Sequence, residues 1–198
     1  MENTIAAIST APGPAGIGIV RLSGERAIEI ADRAFRGSQG LKDEENHRHL
    51  LYGHIVRDGT VLDEVLVAPF FGPNTYTRED MVEINCHGGM VAVHLVLEYM
   101  LDLGCELAEP GEFTRRAFLN GRLDLSQAEA VLDLIDAHSR EGYRAGLDQL
   151  EGSLSREIRS HRQTIIDLLA LIVANIDFPT DEVDEAEEEY LHTKMETL

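Results

Sequence analysis

The chain has 198 residues, 43% hydrophobic and 6% aromatic with no tryptophan, and 36 Asp and Glu against 17 Lys and Arg leave a formal charge of −19. That length buries roughly 70% of the unfolded surface in one domain or two small ones, and the apolar content excludes disorder, a coiled-coil rod and a collagen-like repeat. So negative a field argues against gripping nucleic acid or anionic lipid by overall charge. No apolar run reaches the roughly 18 residues of a spanning helix, and Met1-Glu2-Asn3 opens no basic signal region. Cys86 and Cys105 are too few and too far apart for a disulfide framework or metal knuckle. No membrane partner is expected, and a cytoplasmic location is.

The first two thirds of the chain predict strands and helices in alternation. Thr4 to Ile8 is β-branched and apolar, a strand, and Ile17 to Leu22 is a second after the loop Ser9 to Gly16. Behind Ser23, the spacing of Ile28, Ala31 and Phe35 predicts a helix over 24–35. His49 to Val56 and Val61 to Phe70 flank Arg57-Asp58-Gly59-Thr60, where Asp-Gly suits a two-residue hairpin turn. Met81 to Cys86 predicts a strand with Val82, Ile84 and Cys86 on one face and Glu83, Asn85 and His87 on the other. Residues 90–103 predict a helix striped by Val91, Leu95, Val96 and Met100, and Cys105 to Ala108 a last short strand.

Beyond Pro110-Gly111 the pattern turns helical. Ser126-Gln127-Ala128-Glu129 has the form of a capping box. Leu147, Leu150, Leu154, Ile158, Ile165, Leu168, Ile172 and Ile176 then mark one long amphipathic helix or a helical hairpin, closed by Phe178-Pro179, whose apolar stripe needs a covering partner. Seven of the nine residues from Asp181 to Glu189 are acidic, read as a solvated helix start or frayed end, or else as an interaction tail.

Several constellations could carry chemistry. Gly13-Pro14-Ala15-Gly16-Ile17-Gly18 is glycine-rich but leads into a strand, so it lacks the helix N-terminus of a dinucleotide cradle, and no stretch has the G-x-x-x-x-G-K-[ST] form of a P-loop. The loop is either a strand connector or a wrap for a flat ligand. His87-Gly88-Gly89 has the look of an oxyanion-hole segment, but no G-x-S-x-G elbow accompanies it. Cys86 and His87, adjacent on a strand, point to opposite faces and cannot easily share a proton, which favours a buried structural cysteine. Glu83, Asn85 and His87 in line form either a solvent-facing sheet surface or a rigid polar face, on which a carboxylate could take the paired N–H edge of a pterin or guanine. Arg21, inside an apolar strand, needs a carboxylate or an anionic ligand, and Arg115, Arg116 and Arg122 could close on the same anion. No histidine has metal-site spacing, so no metal is expected.

Taken in order, these segments resemble the MnmE (TrmE) family of tRNA-modification GTPases. The resemblance runs through Thr4 to Pro12, Gly16 to Gly24, Gly72-Pro73-Asn74-Thr75-Tyr76-Thr77-Arg78-Glu79-Asp80, Glu83, His87-Gly88-Gly89, Ala108 to Gly121 and Leu123 to Ala130, and ends on Asp177-Phe178-Pro179. It implies an α+β folate-binding and dimerising domain over residues 1–118, a mixed sheet with flanking helices similar to that of aminomethyltransferases. Residues 119–198 would be the first part of a helical domain, into which the family inserts its GTPase domain. By position, Arg21, Glu83 and Arg122 fall where the family contacts 5-formyl-tetrahydrofolate, with Gly16, Gly18, Asn85 and His87 as neighbours. A lysine is common at the place of Arg122, and Arg keeps the charge while changing the fork geometry.

The implied function is that of a homodimer which, with an FAD-containing partner, installs an aminomethyl-type group at C5 of the wobble uridine of tRNA. The one-carbon unit comes from methylene-tetrahydrofolate. GTP, Mg and K would enter only through the GTPase domain, whose motifs do not occur in these residues, and neither cysteine matches the family's reactive C-terminal cysteine. The chain is therefore expected to be an N-terminal portion ending before the GTPase insertion. The alternatives are a stand-alone folate-dependent one-carbon transferase and a purely structural dimerisation module.

Overall fold

The computed structural model describes residues 3–177. The acidic run Asp181 to Glu189 and the terminator Phe178-Pro179 lie outside the described residues. The chain divides into two compact units, Met1–Leu123 and Asp124–Leu198.

In the first unit seven strands form one sheet: β1 Ile5–Ile8, β2 Ile17–Ser23, β3 Phe35–Gly37, β4 Leu51–Arg57, β5 Thr60–Phe70, β6 Met81–His87 and β7 Glu106–Leu107. Their order across the sheet is β3-β4-β5-β6-β2-β1-β7, antiparallel except for the parallel pair β1 and β7. The expected mixed sheet with flanking helices is thus the architecture found. The hairpin of β4 and β5 turns at Asp58 and Gly59, with φ of 48° and 81°, the two positive values that a type I′ turn requires.

Helices α1 Ala27–Ala34 and α2 Met90–Asp102 pack on one face of this sheet. Val20 and Leu22 of β2, Val67 of β5 and Val82, Ile84 and Cys86 of β6 meet Ile30, Ala31, Val96 and Met100 there in one buried cluster. The stripe of α2 differs from expectation, because Val93, Val96, Leu97 and Met100 are buried whereas Val91 is 74% exposed. With apolar residues on almost every side of this helix, spacing alone could not choose the inner face.

Residue 35 is a second departure. Phe35 leaves α1 with extended backbone and begins β3, and its ring covers the facing glycines Gly37 and Gly53. A side chain at either glycine would collide with that ring, so an edge strand forms where helical spacing had included Phe35.

Helix α3 Glu112–Leu119 closes the first unit. The second contains α4 Leu125–Ile135, α5 Arg140–Leu150 and α6 Ser153–Asp177. The capping box of α4 lies two residues before the expected one: Asp124 accepts the Gln127 amide at 2.9 Å while the Gln127 side chain accepts the Asp124 amide at 3.0 Å. Ser126 instead donates to Asp124. The predicted long amphipathic segment is broken at Gly152, φ 81°, into α5 and α6. Leu168 of its stripe is buried, but Ile158, Ile165, Ile172 and Ile176 are exposed. No described helix is long and apolar enough to cross a membrane.

Candidate functional site

β2 and β6 are neighbours, and their register sets Arg21 directly opposite Glu83. Both side chains rise from the sheet face opposite α1 and α2, because Val20, Leu22, Val82 and Ile84 alternate into the core. Arg21 donates to a single oxygen of Glu83, from Nη2 at 2.7 Å and Nε at 3.0 Å. Oε2 has no hydrogen-bond partner among the described residues. The two side chains keep 28% and 25% of their exposure, so the pair is accessible to a ligand.

Two aromatic rings border the pair. The Arg21 guanidinium lies 5.9 Å from the Tyr76 ring centre and 5.8 Å from that of Phe113. Arg122 reaches the Tyr76 ring at 4.7 Å. One tyrosine therefore adjoins Arg21 and Arg122, two of the four arginines that the sequence singled out, so Arg21, Glu83 and Arg122 share a neighbourhood although they lie on β2, on β6 and in the turn after α3.

The loop bearing Tyr76 is pinned by a buried polar network. Thr77 is fully buried and shares a 2.6 Å hydrogen bond with Ser23, which also donates to Glu79. Arg116, 4% exposed, bonds Glu112, Glu79 and the Asn3 carbonyl, while Asn120 donates to the Thr77 carbonyl. Burial works against the Glu112 carboxylate, but the Glu109 amide and the Arg116 and Arg115 guanidiniums outweigh it and hold its pKa below the ordinary value. Arg116 is thus a structural residue in place of the anion-closing one its position suggested, and Arg115 lies at 3.7 Å from Glu109 and 3.4 Å from Glu112. Arg116 is enclosed by these bonds, whereas Arg115 is exposed and only loosely paired.

The proposed neighbours fall further along β6. Asn85 donates to the Leu66 carbonyl, and His87 is gripped by Asp63, whose two oxygens meet its ring Nδ1 at 2.7 Å and its backbone amide at 2.8 Å. That hydrogen bond raises the His87 pKa above 6.5. Gly16 borders the same small groove as Asn85 and His87. Gly18 faces the other way, where an added Cβ would run into Val93 of α2.

The Gly13 to Gly18 loop folds across the His87 end of the strand, where the Ala15 amide donates to the Gly88 carbonyl at 3.2 Å. Glu83 is four residues away along β6, about 13 Å at the rise of a strand. The loop lines a cavity of about 270 Å³ together with Ile8, Met90, Val93 and His94, beside α2. Gly88 has no side chain because Ala15 backbone atoms occupy that space, which accounts for the glycine without any oxyanion hole. Burial pushes the Cys86 and Cys105 thiols to about 12, as suits inert core cysteines. Among the described residues no group of three or more His, Cys, Asp or Glu is placed to hold a metal.

Sequence reasoning missed Tyr76 and Phe113 as walls of the site, and Asp63 as the partner of His87. A tyrosine within Asn74-Thr75-Tyr76-Thr77 carries no local signal of what it will face, and Asp63 acquires its role only through the pairing of β5 with β6.

Two family models match the chain: the GTP-binding protein TrmE N-terminus over residues 4–122 and the MnmE helical domain over residues 125–198. Among curated proteins, the tRNA modification GTPase MnmE of Alkaliphilus oremlandii is 54% identical over 197 residues, covering 98% of this chain and 43% of that protein. The protein of the same name from Acetivibrio thermocellus is 54% identical over 186 residues, 93% of this chain and 40% of its own length. That from Listeria welshimeri is 53% identical over 197 residues, 99% and 43%. The chain therefore spans about two fifths of the length of these relatives. With both models in sequence order and more than half of the residues identical along nearly its whole length, the chain belongs to the MnmE (TrmE) family of tRNA-modification GTPases.

Proposed function

We propose that this chain is the tetrahydrofolate-binding and dimerising portion of a cytoplasmic tRNA-modification GTPase. The observation that carries the reading is the Glu83 carboxylate: it stands half-buried on a rigid strand, oriented through one oxygen by Arg21, with the other oxygen unpaired among the described residues. A pterin presents adjacent N–H donors on one edge; Oε2 accepts one of them, and a bidentate contact forms when Arg21 gives up one of its two bonds to Oε1. Tyr76 and Phe113 supply flat apolar walls for the ring, and Arg21 and Arg122 supply positive charge for the carbonyl or carboxylate end of 5-formyl- or 5,10-methylene-tetrahydrofolate. These residues bind and orient the ligand, while the folate itself supplies the one-carbon unit.

Dimerisation is supported by the exposed apolar surface on the same sheet face. Ile17 of β2, Tyr52 of β4 and Leu66 of β5 are 60%, 58% and 41% exposed, with β6 between the first and the other two. In the whole protein, the one-carbon unit would go to C5 of the wobble uridine of tRNA, with an FAD-containing partner and with GTP, Mg and K held by a GTPase domain. This rests on the names of the relatives and on the resemblance of the site.

Titration of 5-formyl-tetrahydrofolate into the chain and its Glu83→Ala variant tests the assignment. The expected result is a loss of at least about tenfold in affinity, the worth of a charge-assisted hydrogen bond. Unchanged affinity removes Glu83 from the site.

A further inference from the structure

Next to Tyr76 lies an open groove of about 710 Å³ lined by three arginines, Arg48, Arg78 and Arg122, with Phe70 beside them. In a chain of net charge −19 this is an unusual concentration of one sign. Among the described residues none of the three has a carboxylate within 4.0 Å; Arg33 and Arg36 of the same unit share that property, but they do not line this groove, whereas Arg21, Arg26, Arg57, Arg115 and Arg116 are all paired. Their side-chain bonds go to backbone carbonyls instead, Arg48 to Asn74 at 2.6 Å and Arg78 to Asn120 at 3.0 Å, and Arg122 lies over Tyr76. Such bonds aim a guanidinium without neutralising it. Arg48 and Arg78 also adopt φ of 63° and 64°, a left-handed conformation that residues with side chains rarely take and that persists where surrounding structure enforces it.

We propose that this groove seats the γ-linked oligoglutamate tail of the folate. The inference rests on the folate reading above. The groove shares Tyr76 and Arg122 with the Glu83 neighbourhood, so a ligand anchored there by its pterin and continuing past Arg122 enters it. Each added glutamate brings one carboxylate on a flexible spacer, and three separate uncompensated guanidiniums suit several spaced carboxylates better than one compact anion. The pterin end also tethers the tail, and the raised effective concentration offsets the repulsion of the acidic chain. RNA phosphates, the other candidate polyanion, would meet that repulsion over a much larger surface.

The test compares 5-formyl-tetrahydrofolate as monoglutamate and pentaglutamate at low and high salt, on the chain and on an Arg48→Asn, Arg78→Asn double variant. Asn removes the charges and tolerates the left-handed region. At low salt the pentaglutamate is expected to bind roughly fivefold tighter, from two exposed ion pairs of modest worth each at Arg48 and Arg78, Arg122 being already engaged by the monoglutamate, and high salt should remove the increment. The double variant should lose most of the increment and bind the monoglutamate as before, which also shows that it folds. Equal affinity for the two forms overturns the inference and leaves the folate reading standing. Binding of neither form overturns both. An increment that persists in the double variant, or that ignores salt in the unaltered chain, also overturns it. So does an RNA oligonucleotide that binds through Arg48 and Arg78 while the pentaglutamate shows no increment, an outcome that assigns the groove to an RNA backbone.

Discussion

Glu83 and Arg21 form a half-buried ion pair in which each needs the other, yet one carboxylate oxygen is left without a hydrogen-bond partner among the described residues, which is what the proposed ligand contact requires. His87 is a comparable case at the far end of β6, where Asp63 fixes the ring by one oxygen and the backbone by the other. Its raised pKa has a definite linkage sign. A histidine whose folded pKa exceeds its unfolded value adds stability that is fully present below the unfolded pKa, near 6.5, and is lost as pH rises through the folded pKa. NMR titration should place the His87 imidazole above 6.5 in the chain and return it towards the ordinary value in Asp63→Asn; an unchanged midpoint would remove Asp63 as the cause. Arg116 carries more weight for folding, being the buried cation between Glu79 and Glu112. Arg116→Ala removes the buried cation from both carboxylates, leaving Glu112 with the Glu109 amide and Arg115, and Glu79 with Ser23, and should cost about 3 kcal/mol in denaturant unfolding.

At the scale of elements, caps and close approaches decide boundaries. Asp124, in place of Ser126, caps α4, so Asp124→Ala should destabilise the helical unit by about 1 kcal/mol, and Ser126→Ala by clearly less, as read from urea midpoints. Comparable losses for the two would show that the box is shared. Glycines report backbone contacts in the same way: Gly146 of α5 lets that helix approach Leu134 of α4, and the two helices are also tied by Gln127 donating to the Leu150 carbonyl and Gln149 to that of Ser126. In the sheet, Gly18 and Gly88 leave room for Val93 and for the Ala15 backbone. Periodicity identified most of the strands and helices, including the β4–β5 hairpin and the two-faced β6, but not the edge strand β3 or the bounds of α3. It misjudged the end of α1 and the inner side of α2 because Phe35 and the residues of α2 are apolar in either arrangement.

Across the whole molecule, burial is unevenly shared between the units. The first has a continuous core between one sheet face and two helices. In the second, Ala130 and Leu168 are the hydrophobic side chains that are buried among the described residues, while Leu132, Ile135, Ile158, Ile165 and Leu169 are exposed. Since tertiary packing supplies most helical stability, hydrogen exchange should be markedly faster in α4, α5 and α6 than in β2, β5 and β6. Equal protection in the two units would contradict this account of where stability resides.

What the sequence determined by itself was local or compositional: the alternating elements, the tight turn, the acidic balance, the ordered motifs of the family and the need of Arg21 for a negative partner. Hydrophobic period and turn chemistry act over a few residues, so they can be read directly from the chain. Tertiary structure decided which carboxylate Arg21 meets, that Arg116 is enclosed in a buried network while Arg122 remains open, and that Tyr76 lies beside both Arg21 and Arg122. Those outcomes depend on strand register and on contacts between residues tens of positions apart, as in the 62-residue separation of Arg21 and Glu83. Among many charged residues of similar local setting, only the folded register selects which pair and which remain available for a ligand.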